Sequence, residues 1–565
     1  MSDSAIGGTG LAAAEAAPLA VKQGVPLPGN PRLLGDMLDR SVGRFPDRAA
    51  IDFMGRTTSW GELGAAVDRA AAGLQRLGVV KGTRVALCLP NTPYYPILFF
   101  ATLKAGGIVV NVNPLYVERE LTHLIEDSGA EIIATCDIAE IQARVLKVAG
   151  ETGIRHVISC PIADVLPTIK KFAYKLVKRA EIGRAPRSAQ QLFFADLMAG
   201  GGAPTPVAVA PDEVAVLQYT GGTTGVPKAA MLSHANIVAN TDAMLVHVGG
   251  ETADQDRVLG VLPLFHVFAL TNVLTFSTLV GAEMILLPRF ELKQLLATLK
   301  RTRPTYFPAV PTIYNALANL GPADRPDLSS IKVCISGGAP LPIEVRHAFE
   351  ANTGAKLVEG YGLSEASPII TCNPFDGVNK EGSAGLPFPG TTIEIRDREN
   401  PTRIMPAGEK GEICARGPQV MAGYWHKPEE TAAAFAAGAL RTGDVGYLDA
   451  DGYLFIVDRI KDMILCGGYN VYPRVIEEAL YEHPAVIEAV VIGVSDPHRG
   501  QAPKAFVVLN DATVTATALR DFLRDKISKI ELPREVEIRD ALPKTLIGKL
   551  SKKELVEEEL RKAAR

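Results

Sequence analysis

The chain has 565 residues, of which 47% are hydrophobic and 22% charged, and its net charge is −4. That length can bury a large core and fits two or more domains, while the slight acidic excess leaves no electrostatic footprint for nucleic acid. Seven cysteines without a CxxC pair and nine histidines without HExxH spacing point to buried thiols in a reducing cytoplasm, not to a disulfide framework or a structural zinc site.

Residues 1–30, rich in Ala, Gly and Pro, read as a disordered tail. They do not read as a signal peptide, because Asp3 precedes any base and the first lysine is Lys22. No apolar run is long enough to span a bilayer, so the expected location is the cytoplasm. SWGE (59–62) is a capping box that opens an Ala/Leu-rich helix running to about Leu77. RVALCLP (84–90), PYYPILFFATLKAGG (93–107) and IVVNVNP (108–114) then form a strand, a helix ended by Gly106 and Gly107, and a second strand. That is a βαβ unit of a parallel sheet.

The segment 169–187 carries Lys170, Lys171, Lys175, Lys178, Arg179, Arg184 and Arg187. Ile169, Phe172, Leu176 and Val177 fall on one helical face, so it reads either as an ordinary surface helix or as a basic amphipathic helix suited to an anionic membrane surface.

VAVLQ (214–218) reads as a buried strand and MLSHANIVANTDAML (231–245) as a helix with Ser233 as N-cap. Between them YTGGTTGVPK (219–228) offers Thr220, Gly221, Gly222, Thr223, Thr224, Gly225 and Lys228. Glycines let backbone N–H groups approach an anion, hydroxyls add donors, and a lysine adds a point charge, so the loop suits nucleotide phosphates. It lacks the Walker A spacing.

The α/β alternation resumes with 258–265, a helix near 291–301, and 331–338. From about residue 382 short strands with Gly and Pro turns suggest a smaller β-rich subdomain. A second boundary falls at 458–461, before an α+β pattern with helices at 474–482 and 516–529, strands at 486–494 and 503–509, and a charged terminal helix.

Four more runs suit a nucleotide, although each taken alone reads as a turn, cap or surface ion pair. SGGAP (336–340) ends a strand with two glycines, where a flat ring could lie on backbone. EGYGLSE (359–365) groups an aromatic, a hydroxyl and a carboxylate. RTGD (441–444) ends in a carboxylate fit for two ribose hydroxyls. DRIKDMILCGGYN (458–470) joins a charged stretch to a glycine pair.

Together and in this order, over residues 31–560, these runs resemble the adenylate-forming superfamily of acyl-CoA synthetases, adenylation domains and luciferases. LKAGGIVVNVNPLY (103–116), LPLFHVFALT (262–271) and GPQVMAGYW (417–425) make the chain most similar to bacterial long-chain fatty-acid–CoA ligases. The resemblance implies an α/β fold with a large N-terminal domain at 31–458, made of two α/β sheet subdomains and a β-barrel-like subdomain. A hinge at 459–461 and a small mobile α+β C-terminal domain at 462–565 would follow.

It also implies roles for individual residues. Thr220 to Gly225 and Lys228 would wrap the ATP phosphates. Gly338, Ala339 and Pro340 would wall the adenine slot, with Tyr361 on its other face and Glu359, Gly360 and Gly362 beside it. Ser364 would touch the α-phosphate, Glu365 and Thr220 would hold Mg²⁺, and Asp444 and Arg459 would bind ribose. His266 would lie between acyl tunnel and CoA channel, if it is not simply a hydrogen-bonded core histidine. Lys549, in PKTLIGK (543–549), would be the catalytic lysine. Lys461 would be the hinge, and Gly467 and Gly468 would meet the CoA pantetheine after domain rotation.

The implied reaction joins a fatty acid to CoA at the expense of ATP. Rivals are a dicarboxylate, medium-chain or aryl acid ligase, an acyl–AMP ligase that does not use CoA, and a non-catalytic membrane-associated acyl-binding protein. Retention of Lys228, Glu365 and Lys549 disfavours the last. Acyl chain length, oligomeric state (a homodimer among the options) and peripheral contact with the inner face of the cell membrane stay open. Ala229 stands where glycine is common, Ser364 where threonine is usual, Gly438-Ala439-Leu440 lacks a frequent tryptophan, and SKKEL (551–555) replaces a more arginine-rich run.

Overall fold

The computed structural model describes residues 33–220, 227–250, 254–545 and 548–563. The expected N-terminal tail and residues 221–226 of the phosphate loop lie outside the described residues.

Two largely parallel sheets form the bulk of the chain. The seven-stranded sheet includes Arg84–Cys88, Ile108–Asn111 and Val214–Thr220, with Arg84 in register with Ile108 and Val109 with Val216. Its strands are apolar and buried because helices cover both faces of a parallel sheet. The nine-stranded sheet carries Arg257–Gly260, Tyr306–Ala309, Val333–Ser336 and Leu357–Gly362 as parallel neighbours. Antiparallel strands close both of its edges.

Local chemistry explains the helices between them. Ser59 accepts from Glu62 N–H while the Glu62 carboxylate accepts from Ser59 N–H, so Trp60–Arg76 begins on the expected box. Tyr94–Lys104 is buried around almost its whole circumference, as its unbroken apolar sequence demands. The helices Leu34–Arg44, Trp60–Arg76, Tyr94–Lys104 and His234–His247 and the buried segment 267–280 pack on one another, and one apolar core runs from Leu34 to Leu454.

Residues 392–459 form an antiparallel five-stranded sheet in the expected β-rich region. A second five-stranded sheet, built from strands between Ile464 and Ile538 with helices Pro473–Tyr481, Ala516–Arg524 and Lys553–Ala563, has apolar clusters of its own. It meets the larger body where Thr312 Oγ1 donates to Gly548 O (2.7 Å) and Asn315 Nδ2 to Ile487 O (2.9 Å).

Three local expectations are corrected. Met231 and Leu232 belong to a strand, Lys228–Ser233, that runs antiparallel to Val214–Thr220, and the helix begins only at His234. Pairing with Val214–Thr220 and the burial of Ala229, Ala230, Leu232 and Ser233 outweigh their modest strand propensity. The basic helix spans only Thr168–Val177, because the chain beyond it turns to pair with 137–139, where Ala139 N–H donates to Glu181 O (2.8 Å) and Gly183 N–H to Asp137 O (2.7 Å). Ala516–Arg524 likewise stops short of 529. All seven cysteines are buried and free. Among the described residues no helix is long and apolar enough to cross a membrane.

Candidate functional site

Segments distant in the chain converge at the end of the strand Leu357–Gly362. Tyr361 donates its hydroxyl to Asp444 Oδ2 at 2.5 Å. Asp444 lies in the strand Ala439–Leu448, directly across from Arg459 in Leu454–Arg459. Arg459 Nε stands 3.3 Å from Asp444 Oδ1 but is not aligned to donate, so that buried oxygen has no hydrogen bond. Burial raises the Asp444 carboxyl, while Arg459 and the Tyr361 hydroxyl pull it back. A buried carboxylate oxygen without a donor is costly, and it is poised to accept from a ligand hydroxyl.

Lys549 reaches the same place from the far end of the sequence. The turn carrying it is closed by Thr545 N–H to Lys549 O (2.7 Å) and Gly548 N–H to Thr545 O (2.8 Å), and Thr312 ties Gly548 down. Gly338 has φ +82°, and a Cβ there would sit 2.6 Å from Lys549 Cε, so the lysine passes over bare backbone. Lys549 and His266 are half-buried as whole residues, but their titrating nitrogens are enclosed, and the enclosure governs them. Burial, with Arg459 adding, lowers the Lys549 ammonium to about 8. Burial, with Lys549 adding, pushes His266 down to about 3, so its imidazole is neutral. His266 Nδ1 accepts from Phe268 N–H at 3.3 Å, which leaves Nε2 for another partner.

Glu359 is buried on the same strand and accepts from Leu341 N–H at 3.3 Å. Burial raises it to about 7, against the pull of Arg474. Gly362 tolerates no side chain, because a Cβ would lie 2.0 Å from Pro368 O. Ser364 and Glu365 occupy the short turn Ser364–Ala366, which packs on both strands flanking 221–226. Tyr424 donates to Glu365 Oε1 at 2.8 Å, and its ring lies 5.3 Å below Lys228 Nζ. Burial and Glu365 hold the Tyr424 phenol protonated, so its hydroxyl is the donor. Thr220 pairs across the ladder with Lys228.

Residues 38–425 match the AMP-binding enzyme family, and residues 475–549 match the AMP-binding enzyme C-terminal domain. The chain belongs to the AMP-binding enzyme family. It is 43% identical over 540 residues to a long-chain-fatty-acid–CoA ligase of Bacillus subtilis (strain 168), covering 95% of this chain and 96% of that one. Its fold is similar to ATP-bound MatB from Rhodopseudomonas palustris, with TM-score 0.81, 30% identity, and coverage of 93% and 98%. It is also similar to the anthranilate CoA ligase AuaEII in complex with anthranoyl-AMP, with TM-score 0.83, 28% identity, and coverage of 96% and 99%.

In this AMP-binding enzyme the structure gathers Gly338, Tyr361, Asp444, Arg459, Lys549 and His266 in one place, and Thr220, Lys228, Ser364 and Glu365 alongside. Lys461 is near, its ammonium lowered by partial burial and by Arg459. Gly467 and Gly468 stand apart. They form the exposed two-residue turn between Ile464–Cys466 and Tyr469–Val471, with φ of +58° and +85°, and Gly467 N–H bonds Arg499 O of its own domain. Residues 221–225 lie outside the described residues.

Sequence reasoning missed two supporting side chains. Asn91 Nδ2 donates to Gly260 O and Leu262 O, and its Oδ1 accepts from Leu264 N–H (3.0, 2.8 and 2.8 Å), clamping the loop that presents His266. The signal was PNTP (90–93) directly after a strand. Tyr424 sat in view inside GPQVMAGYW, but nothing local tells which carboxylate its hydroxyl meets.

Proposed function

We propose that this chain is an ATP-dependent, AMP-forming ligase that activates a fatty acid, of long-chain type, as an acyl-adenylate and transfers the acyl group to CoA. The observation that carries the reading is the Lys549 ammonium held over Gly338 beside Arg459 and Asp444. Identity of 43% to the Bacillus subtilis ligase over nearly the full length supports the substrate class.

A carboxylate is a poor electrophile, so its oxygen attacks the α-phosphorus of ATP and pyrophosphate departs. Negative charge grows on the transferring group, and a preorganised ammonium favours that state over the ground state. Asp444 Oδ1 accepts from a ribose hydroxyl, Tyr361 closes one face of the adenine slot, and 336–340 the other. Lys228 and the loop before it address the leaving phosphates. In the second step the CoA sulfur attacks the acyl carbon and AMP leaves. Neutral His266, its Nδ1 occupied by Phe268 N–H, can donate through Nε2–H there without adding positive charge.

Glu365 fits Mg²⁺ as a shared ligand. Tyr424 donates to one of its oxygens, and among the described residues the other accepts no hydrogen bond and no cluster of three or more His, Cys, Asp or Glu forms a closed cage. Mg²⁺ bound jointly by one carboxylate and the phosphates, with Thr220 beside it, would neutralise phosphate charge.

The two steps need different groups at one place, which supports a hinge at 459–461 between the bodies 31–458 and 462–565. The separate apolar clusters on either side are consistent with such a boundary. Rotation about it would withdraw Lys549 and bring in the exposed Gly467–Gly468 turn. AMP release with CoA, measured over a panel of acids from short-chain to long-chain and aromatic, tests the reading. Turnover is expected with aliphatic acids, and none with any aliphatic acid refutes it.

The reading includes contact with a membrane surface through 169–187. Ile169, Phe172, Leu176 and Val177 are 84, 70, 80 and 75% exposed, no residue of their helix is buried, and lysines flank them. Apolar insertion plus about 1 kcal/mol for each nearby Lys or Arg at an anionic surface favours such contact. Sedimentation with vesicles of anionic phospholipid should exceed that with neutral phospholipid and fall with salt. Equal sedimentation would count against it.

A further inference from the structure

Tyr424 touches both charged groups that face the phosphate end of the site. The segment carrying it is fixed from three sides: Trp425 N–H donates to Ala229 O (2.9 Å), Met231 N–H to Gly423 O (2.9 Å), and Met421 N–H to Glu365 O (2.7 Å). Tyr424 N–H bonds Thr431 Oγ1 (2.9 Å). Gly423 has φ +146°, and a Cβ there would lie 2.5 Å from Thr431 Cγ2, so the chain can turn here only with glycine. The Tyr424 side chain is therefore aimed by its backbone and not by its ligands.

Its two ends meet opposite charges. The hydroxyl donates to Glu365 Oε1 at 2.8 Å, and Lys228 Nζ stands 5.3 Å from the ring centroid, within cation–π range. Lys228 and Glu365 would attract one another without an intervening group, and a closed ion pair would remove both the cation meant for phosphate and the anion meant for a metal. Among the described residues no Lys228–Glu365 ion pair is formed.

Resting on the proposed function, we infer that Tyr424 is a positioning residue. Its ring carries the Lys228 ammonium, its hydroxyl orients the Glu365 carboxylate, and its bulk keeps the two from neutralising each other. The two duties are separable. Tyr424→Phe keeps the ring and loses only the hydroxyl, whereas Tyr424→Leu loses both.

The test is calorimetric binding of ATP to the full chain, with Mg²⁺ and with EDTA, for the wild type, both variants and Glu365→Gln. Groups that orient a metal ligand typically contribute about tenfold or more in metal affinity. Tyr424→Phe should bind metal-free ATP within about twofold of wild type and lose about tenfold of the gain that Mg²⁺ gives. Tyr424→Leu should lose metal-free affinity as well, and Glu365→Gln should lose the Mg²⁺ gain while keeping metal-free binding. A full Mg²⁺ gain in Tyr424→Phe overturns the inference, as does an equal loss of metal-free affinity in Phe and Leu. A wild type that binds ATP under neither condition defeats the proposed ligase itself, a result distinct from either.

Discussion

Replacing Lys549 by arginine is the sharpest probe of the lysine's charge. Burial and Arg459 lower its ammonium to about 8, and the proposed reaction needs the charged form. The charge is present below about 8 and lost above it. From that value the protonated fraction is about 0.9 at pH 7 and about 0.1 at pH 9, roughly a tenfold fall. His266, pushed to about 3, contributes no titration in that range. The rate of acyl-adenylate formation per unit ATP, kcat/KM, reports free-enzyme groups, so it should drop about tenfold between pH 7 and 9. Arginine stays charged throughout, and Lys549→Arg should give a lower profile that lacks the fall centred near 8. Lys549→Ala should cost about a hundredfold or more. Pyrophosphate release followed from pH 6.5 to 9.5 is the assay, with thioester formation from supplied acyl-AMP as reference, where the Lys549 limb should be missing. An unchanged limb in Lys549→Arg would refute the assignment of that titration to Lys549.

Two other perturbations separate binding from motion. Asp444→Asn keeps the shape but removes the charge opposite Arg459 and one acceptor, and should raise the KM for ATP about tenfold or more with a smaller change in kcat; an unaltered KM would mean the ribose lies elsewhere. Lys461→Pro should slow thioester formation from supplied acyl-AMP far more than adenylate formation, and rapid mixing of the two half-reactions would expose equal effects if 461 is not a hinge.

Much of the scaffold was legible in the sequence because it depends on local signals. Ser59 and Glu62 announce their helix, and the apolar run 93–104 announces a buried one. The strand Lys228–Ser233 was not legible, because Lys-Ala-Ala-Met-Leu-Ser has no strand preference and becomes a strand only by pairing with Val214–Thr220. The site behaved similarly. Glycine and carboxylate runs located Gly338, Glu365 and Asp444, and the family resemblance tied Lys549 to them from more than a hundred residues away. Asn91 and Tyr424 depend on partners 169 and 59 residues distant in sequence, and no local pattern encodes such distances. Ala229, unexplained in the sequence, is buried in the ladder opposite Tyr219. Extended backbone there does not require glycine.

The pairing of Thr220 with Lys228 has an evolutionary consequence. Both ends of the intervening residues are fixed by a ladder, so changes in length between them leave the registry of everything downstream intact. An insertion anywhere in 229–232 would instead shift Lys228 by one position against Val214–Thr220 and send it to the opposite face of the sheet. Insertions in 229–232 should therefore be purged among descendants of this gene, although none of those side chains is proposed to touch a ligand.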